Sequence, residues 1–131
     1  MKKERVFSIR FSAVHPLYVA KAVKKGRTPA EVDAVIRWLT GYTAAGLRKQ
    51  ISREVDLRGF FAEAPRLNPE VVKVTGTICG ARIEEIADPL MRNIRILDKL
   101  VDELAKGRSM EKILRSGTAD GPPTRTSART P

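Results

Sequence analysis

A chain of 131 residues, 42% of them hydrophobic and 31% charged, has the composition of an ordinary globular protein and the length for one core. Its 25 Lys and Arg against 15 Asp and Glu give a net charge of +10, which favours contact with nucleic acid, an anionic membrane or an acidic protein without naming a partner, and an acidic protein or nucleic acid is the reading kept. Cys79 stands alone, so an internal disulfide and a cysteine-based metal cluster are excluded, and no apolar run reaches the length of a membrane span. The expected setting is the cytoplasm, with no membrane contact.

From Arg5 to Phe11 the pattern alternates, with Phe7, Ile9 and Phe11 on one side and Ser8 and Arg10 on the other, which predicts a short half-buried strand. The period changes at Pro16. Between Pro16 and Lys25, Tyr18, Val19, Ala22 and Val23 form an inward face, with Lys21, Lys24 and Lys25 opposite. Gly26 ends that helix, and Thr28-Pro29-Ala30-Glu31 is a capping box with proline at the first helical position. The helix that follows buries Val32, Val35, Ile36 and Leu39, carries Trp38 on its flank, pairs Asp33 with Arg37 and stops at Gly41. Thr43 caps a third helix with Ala44, Leu47 and Ile51 on its stripe, and Asp56 caps a short fourth, with Val55 and Phe60 spaced as a hydrophobic staple.

Residues 68–80 carry two signals. Val71, Val72, Val74, Thr75, Thr77 and Ile78 favour an extended chain that could pair with 5–11, whereas Asn68-Pro69-Glu70 would equally open a helical turn; the β-branched content favours the strand. The longest periodic stretch comes next. Asp88 caps it, Pro89 fits its first position, and Leu90, Ile94, Leu97, Val101 and Leu104 recur at steps of four, three, four and three. Ile96 and Leu100 widen that face, Lys99 can pair with Glu103, and Gly107 ends the helix. Ser109 caps a last short helix with Ile113 and Leu114. Residues 1–115 thus read as a single mainly helical domain, a bundle of five or six helices around a long one at about 88–106, with a two-stranded pairing of 5–11 and 71–79. Residues 116–131, rich in Gly, Pro, Thr, Ser and Arg, read as a disordered tail.

The chemistry-bearing residues are sparse. His15 is the one histidine and has no carboxylate or nucleophile beside it in sequence. Ser109 and Lys112 have the serine–lysine spacing of penicillin-recognising acylases, but the companion motifs are missing and the serine already serves as a cap. Glu84, Glu85 and Asp88 lack any calcium-loop spacing, and Gly76 and Gly80 are too few for a phosphate loop, so neither metal nor cofactor is implied. Two helices joined by Gly26-Arg27-Thr28 have the outline of a helix-turn-helix, yet the second offers mainly Ala30, Asp33, Ala34 and Arg37 for reading bases. Contact with phosphates through Lys21, Lys24, Lys25 and Arg27 is the nucleic-acid reading that survives. A rival enzyme reading would assemble a pocket from the scattered residues His15, Tyr42, Cys79 and Arg82. The leading reading is a non-enzymatic binding or interaction domain.

Several blocks taken together resemble the bacterial family known as domain of unknown function 2200. They are His15-Pro16-Leu17-Tyr18-Val19-Ala20-Lys21, Val35-Ile36-Arg37-Trp38-Leu39-Thr40-Gly41-Tyr42, Ile78-Cys79-Gly80, Asp88-Pro89-Leu90-Met91, and the run from Leu97 through Gly107 to Leu114. They fall in order over about residues 3–115. The resemblance implies a small, mainly helical prokaryotic protein and transfers no catalytic or binding residue. Position 15 is often aromatic in that pattern, which weighs against a catalytic His15.

Overall fold

Helix α6, Pro89–Ala105, is the element against which the others pack; α1 (Lys3–Phe7), α2 (Phe11–Lys24), α3 (Pro29–Thr40), α5 (Leu57–Ala62) and α7 (Met110–Ile113) all touch it. The computed structural model describes residues 3–78 and 80–114, and among these the fold is mainly helical. Helix α4 (Ala44–Ser52) closes the bundle against α2 and α3. The apolar stripe of α6 is what makes it central. Leu97, Leu100 and Leu104 are wholly buried, Ile94, Ile96 and Val101 nearly so, and all join one core with Val32, Val35, Ile36 and Leu39 of α3. Asp88 accepts the Met91 backbone N–H at 2.9 Å, which satisfies one of the donors a helix start leaves open.

The other helix starts follow the same chemistry. Thr28 and Glu31 form the reciprocal capping box, Thr43 accepts from Gly46, Asp56 from Gly59 and Ser109 from Lys112. Gly41 ends α3 at φ +81°, and a Cβ there would lie 2.9 Å from the Arg66 carbonyl oxygen, so both conformation and close approach require glycine.

The N-terminal segment differs from the strand its alternation predicts. Lys3–Phe7 is a helical turn in which the adjacent residues Val6 and Phe7 are both buried, while Ile9 is 37% exposed. The alternating residues Phe7, Ile9 and Phe11 instead straddle a corner between two helices. Their sheet-like contact is a single antiparallel bridge of Arg10 with Asp56, closed by Phe11 N–H to Val55 O and Leu57 N–H to Ile9 O, both 2.8 Å. Helix α2 then starts at Phe11, five residues before Pro16. Phe11 is wholly buried and stacks on Phe60 with ring centroids 3.9 Å apart, and Phe60 also meets Tyr42 and Phe61.

Among the described residues, no strand of 71–79 pairs with 5–11. Asn68 accepts the Glu70 N–H and opens a 3-10 turn at Pro69–Lys73, the helical alternative that the Asn-Pro-Glu signal carries. The extended residues form a local hairpin in which β1 (Thr77–Ile78) pairs antiparallel with β2 (Ala81–Arg82). A 3-10 turn at Ile83–Glu85 leads from it to α6. Two predicted helix-face pairs are also replaced: Asp33 meets His15 rather than Arg37, and Lys99 donates to the Thr77 carbonyl rather than to Glu103. The tail at 116–131 lies outside the described residues.

Candidate functional site

The C-terminal half of α6, the corner after it and the 3-10 turn at Pro69–Lys73 enclose an open groove of about 1090 Å³. Helical spacing places Lys99, Asp102, Glu103 and Lys106 along one side of α6, away from the buried Leu97 and Leu100. Gly107, at φ +92°, turns the chain so that Arg108 and Ser109 continue the wall into α7, which adds Lys112 and Glu111. Lys73 and Thr75 form the facing side. Lys99 fixes the two sides together, since its Nζ donates to the Thr77 carbonyl at 3.2 Å.

Five cations therefore line the groove against three carboxylates. Two of the acids are committed to the frame. Asp102 is held by Lys21 of α2 at 3.3 Å and by Lys106 at 3.1 Å. Burial pushes its carboxyl up, but the hydrogen bonds from Lys106 and Lys21 outweigh that and hold it below the usual range. Glu103 is only 8% exposed and faces the Arg108 guanidinium at 3.9 Å. The cations are the solvent-facing partners: the Lys106 side chain is 74% exposed and Arg108 about half.

Of the basic residues foreseen around the end of α2, Lys21 and Arg27 contact the elements that form this groove. Lys21, Lys24 and Lys25 are all exposed, and Lys21 in addition reaches over to Asp102 of α6. Val23, expected inside, is half exposed, because Tyr18 and Lys21 are drawn onto Asp98 and Asp102 of α6 and turn residue 23 outward. Arg27 is part of the structure. Its guanidinium makes two hydrogen bonds to Glu31 and donates to the carbonyls of Leu104 at 3.3 Å and Arg108 at 2.8 Å, locking the α6–α7 corner to the start of α3. Hydrogen bonds from Arg27 and from the Thr28 backbone hold the Glu31 carboxyl below its ordinary 4.5.

None of His15, Tyr42 and Arg82 lines the groove. His15 Nε2 lies 2.7 Å from Asp33 Oδ1 across the α2–α3 contact, a carboxylate that sequence neighbours do not reveal. Tyr42 is buried and donates to the Phe60 carbonyl at 2.7 Å; burial pushes its phenol up to about 12. Arg82 sits on the hairpin with Glu84 and Glu85. Cys79 lies outside the described residues. Sequence reasoning misses Lys73, Lys106, Arg108 and Lys112 as a group. The signal that could have found them is the Lys106-Gly107-Arg108-Ser109 corner following the polar face of α6, which by itself specifies only turn chemistry.

Comparisons with known proteins point one way. A family model described as an uncharacterized protein conserved in bacteria (DUF2200) matches residues 5–115. The crystal structure of uncharacterized protein SP1917 is 43% identical, covers 87% of this chain and 93% of its own, and has a TM-score of 0.82. A comparison with curated proteins finds no match.

Proposed function

The chain belongs to the bacterial DUF2200 family, and for it we propose a non-enzymatic binding role in which the groove along α6 takes the phosphate backbone of a nucleic acid. The observation that carries this reading is the set of five cations, Lys73, Lys99, Lys106, Arg108 and Lys112, around one open groove in a chain of net charge +10. Their present partners are weak competitors. Partly exposed ion pairs contribute little in water, so a phosphate can replace a carbonyl or carboxylate at small cost. Asp102 stays with Lys21 of α2 and keeps the wall in place.

Chemistry of bond making is less well supported by this lining. The Ser109 hydroxyl accepts the Lys112 N–H as a helix cap, and Asp102 and Glu103 already face Lys106 and Arg108. Sequence readout is equally poorly served. Rings that could stack on bases are turned inward: Phe7, Phe11, Tyr42, Phe60 and Phe61 are buried, and Tyr18 and Trp38 pack against the core. Binding is therefore expected to be sequence-tolerant and dominated by counterion release.

Fluorescence anisotropy with a mixed-sequence DNA, as single strand and as duplex, tests this. With about four phosphate contacts, duplex affinity should fall about 10²-fold between about 50 mM and about 200 mM salt. The variant Lys99→Gln/Lys106→Gln/Lys112→Gln should lower the salt slope by about 0.9 for each phosphate it no longer neutralises. Absence of binding at low salt, or an unchanged slope in the triple variant, would overturn the proposal.

A further inference from the structure

Helix α2 turns an apolar face to solvent on the side opposite its buried Phe11 and Ala22. Ala13, Leu17 and Ala20 follow steps of four and three along it, with Pro16 and Val23 alongside, and all five are exposed. Leu17 is 68% exposed and Val23 49%. The small side chains of Ala13 and Ala20 on either side of Leu17 leave a shallow surface into which side chains of a second helix can interdigitate. Lys24 ends this stripe, Lys25 follows it, and Lys21 lies beside Leu17 one turn on. The face is therefore apolar along most of its length and basic at its C-terminal end.

We infer that this face docks an acidic amphipathic helix of another protein. Apolar residues of the partner would cover Leu17 and Val23, and its carboxylates would meet Lys24 and Lys25. Charge decides among the occupants. A second copy would bring another +10 against the first and lysines against lysines, whereas an acidic helix gains from the same field. An anionic membrane is attracted too, but an interfacial helix is anchored by several large apolar or aromatic residues, and here the large side chains are Leu17 and Val23. A single helix face offers less than a standard interface, so the complex is a weak, exchanging one.

The test uses the full chain and three synthetic helical peptides of about 18 residues, about five turns each. One carries leucines at helical spacing with glutamates elsewhere, one replaces those glutamates by lysine, and one replaces the leucines by glutamine. The first should bind, by isothermal titration, at least about tenfold more tightly than the other two. Leu17→Asp and, separately, Val23→Asp should each weaken it by about tenfold or more, with thermal melts unchanged because both positions are exposed. The lysine-to-glutamine variant of the α6 groove should still bind the first peptide at least about tenfold more tightly than the one lacking leucines. Equal binding of the peptide lacking leucines, or unchanged binding by both aspartate variants, overturns the inference. So does Leu17-dependent self-association in sedimentation, or Leu17-dependent flotation with phosphatidylserine vesicles.

Discussion

Helices α3 and α2 lie side by side, with 12 and 14 residues, yet their beginnings are specified in opposite ways. At the start of α3 the whole instruction sits in four consecutive residues: Thr28 accepts from Glu31, Glu31 accepts from the Thr28 N–H, and Pro29 pre-sets the backbone. At the start of α2 the N-cap is Arg10, whose side chain makes no cap bond, and Pro16 falls inside the helix. What fixes that start is distant in sequence. Phe11 is stacked on Phe60, and the Arg10–Asp56 bridge ties the corner to the entry of α5. A locally capped helix can be read from its residues; one anchored by tertiary contact cannot.

That contrast can be broken by substitution, beginning with the largest effect. Phe11→Ala should cost about 3–5 kcal/mol in urea unfolding, because it removes a wholly buried ring from the aromatic stack and with it the anchor of α2. A loss below about 1 kcal/mol would show that α2 does not depend on Phe60. Leu97→Ala, at the centre of the core on α6, should cost about 2–5 kcal/mol by the same measurement. Thr28→Ala should cost about 1 kcal/mol, the worth of a helix cap, and Arg10→Ala should stay within about 0.5 kcal/mol, since Arg10 caps nothing and its pair with Glu54 is exposed. Equal losses for Thr28→Ala and Arg10→Ala would remove the distinction between the two helix starts.

The smallest effect concerns acid. The folded state holds Glu31 below its ordinary 4.5, so its contribution to stability is present above that value and fades as pH falls through the lower, folded one. The variant Glu31→Gln should therefore narrow its deficit against the wild type as unfolding is measured at pH values progressively below 4.5. A deficit that grows on acidification would have the wrong sign.

Legibility follows the same division across the molecule. The caps Thr28, Thr43, Asp56, Asp88 and Ser109 are all found with their bonds, and the stripe from Ile94 to Leu104 is buried as its period requires. The alternation of Phe7, Ile9 and Phe11 misleads because three residues around a corner mimic a strand, and only packing shows Val6 and Phe7 both inside. Near residue 70 the cap at Asn68 prevails over β-branched content, since the 3-10 turn satisfies its backbone locally and the extended residues find a partner a few positions away. The candidate site is the least legible part. Lys73 and Thr75 meet Lys106, Arg108 and Lys112 through the packing of the hairpin on α6, and no spacing rule connects those positions. His15 likewise acquires Asp33 from another helix.

The most direct test of the groove as a phosphate-backbone site is to map where a nucleic acid lands. In amide chemical-shift titration of the full chain with a short DNA duplex at low salt, the largest changes should fall at Lys73–Thr75 and Lys99–Lys112, with the aromatic stack around Phe60 and Tyr42 unmoved. Changes centred elsewhere, or none along α6 and its following corner, would contradict it.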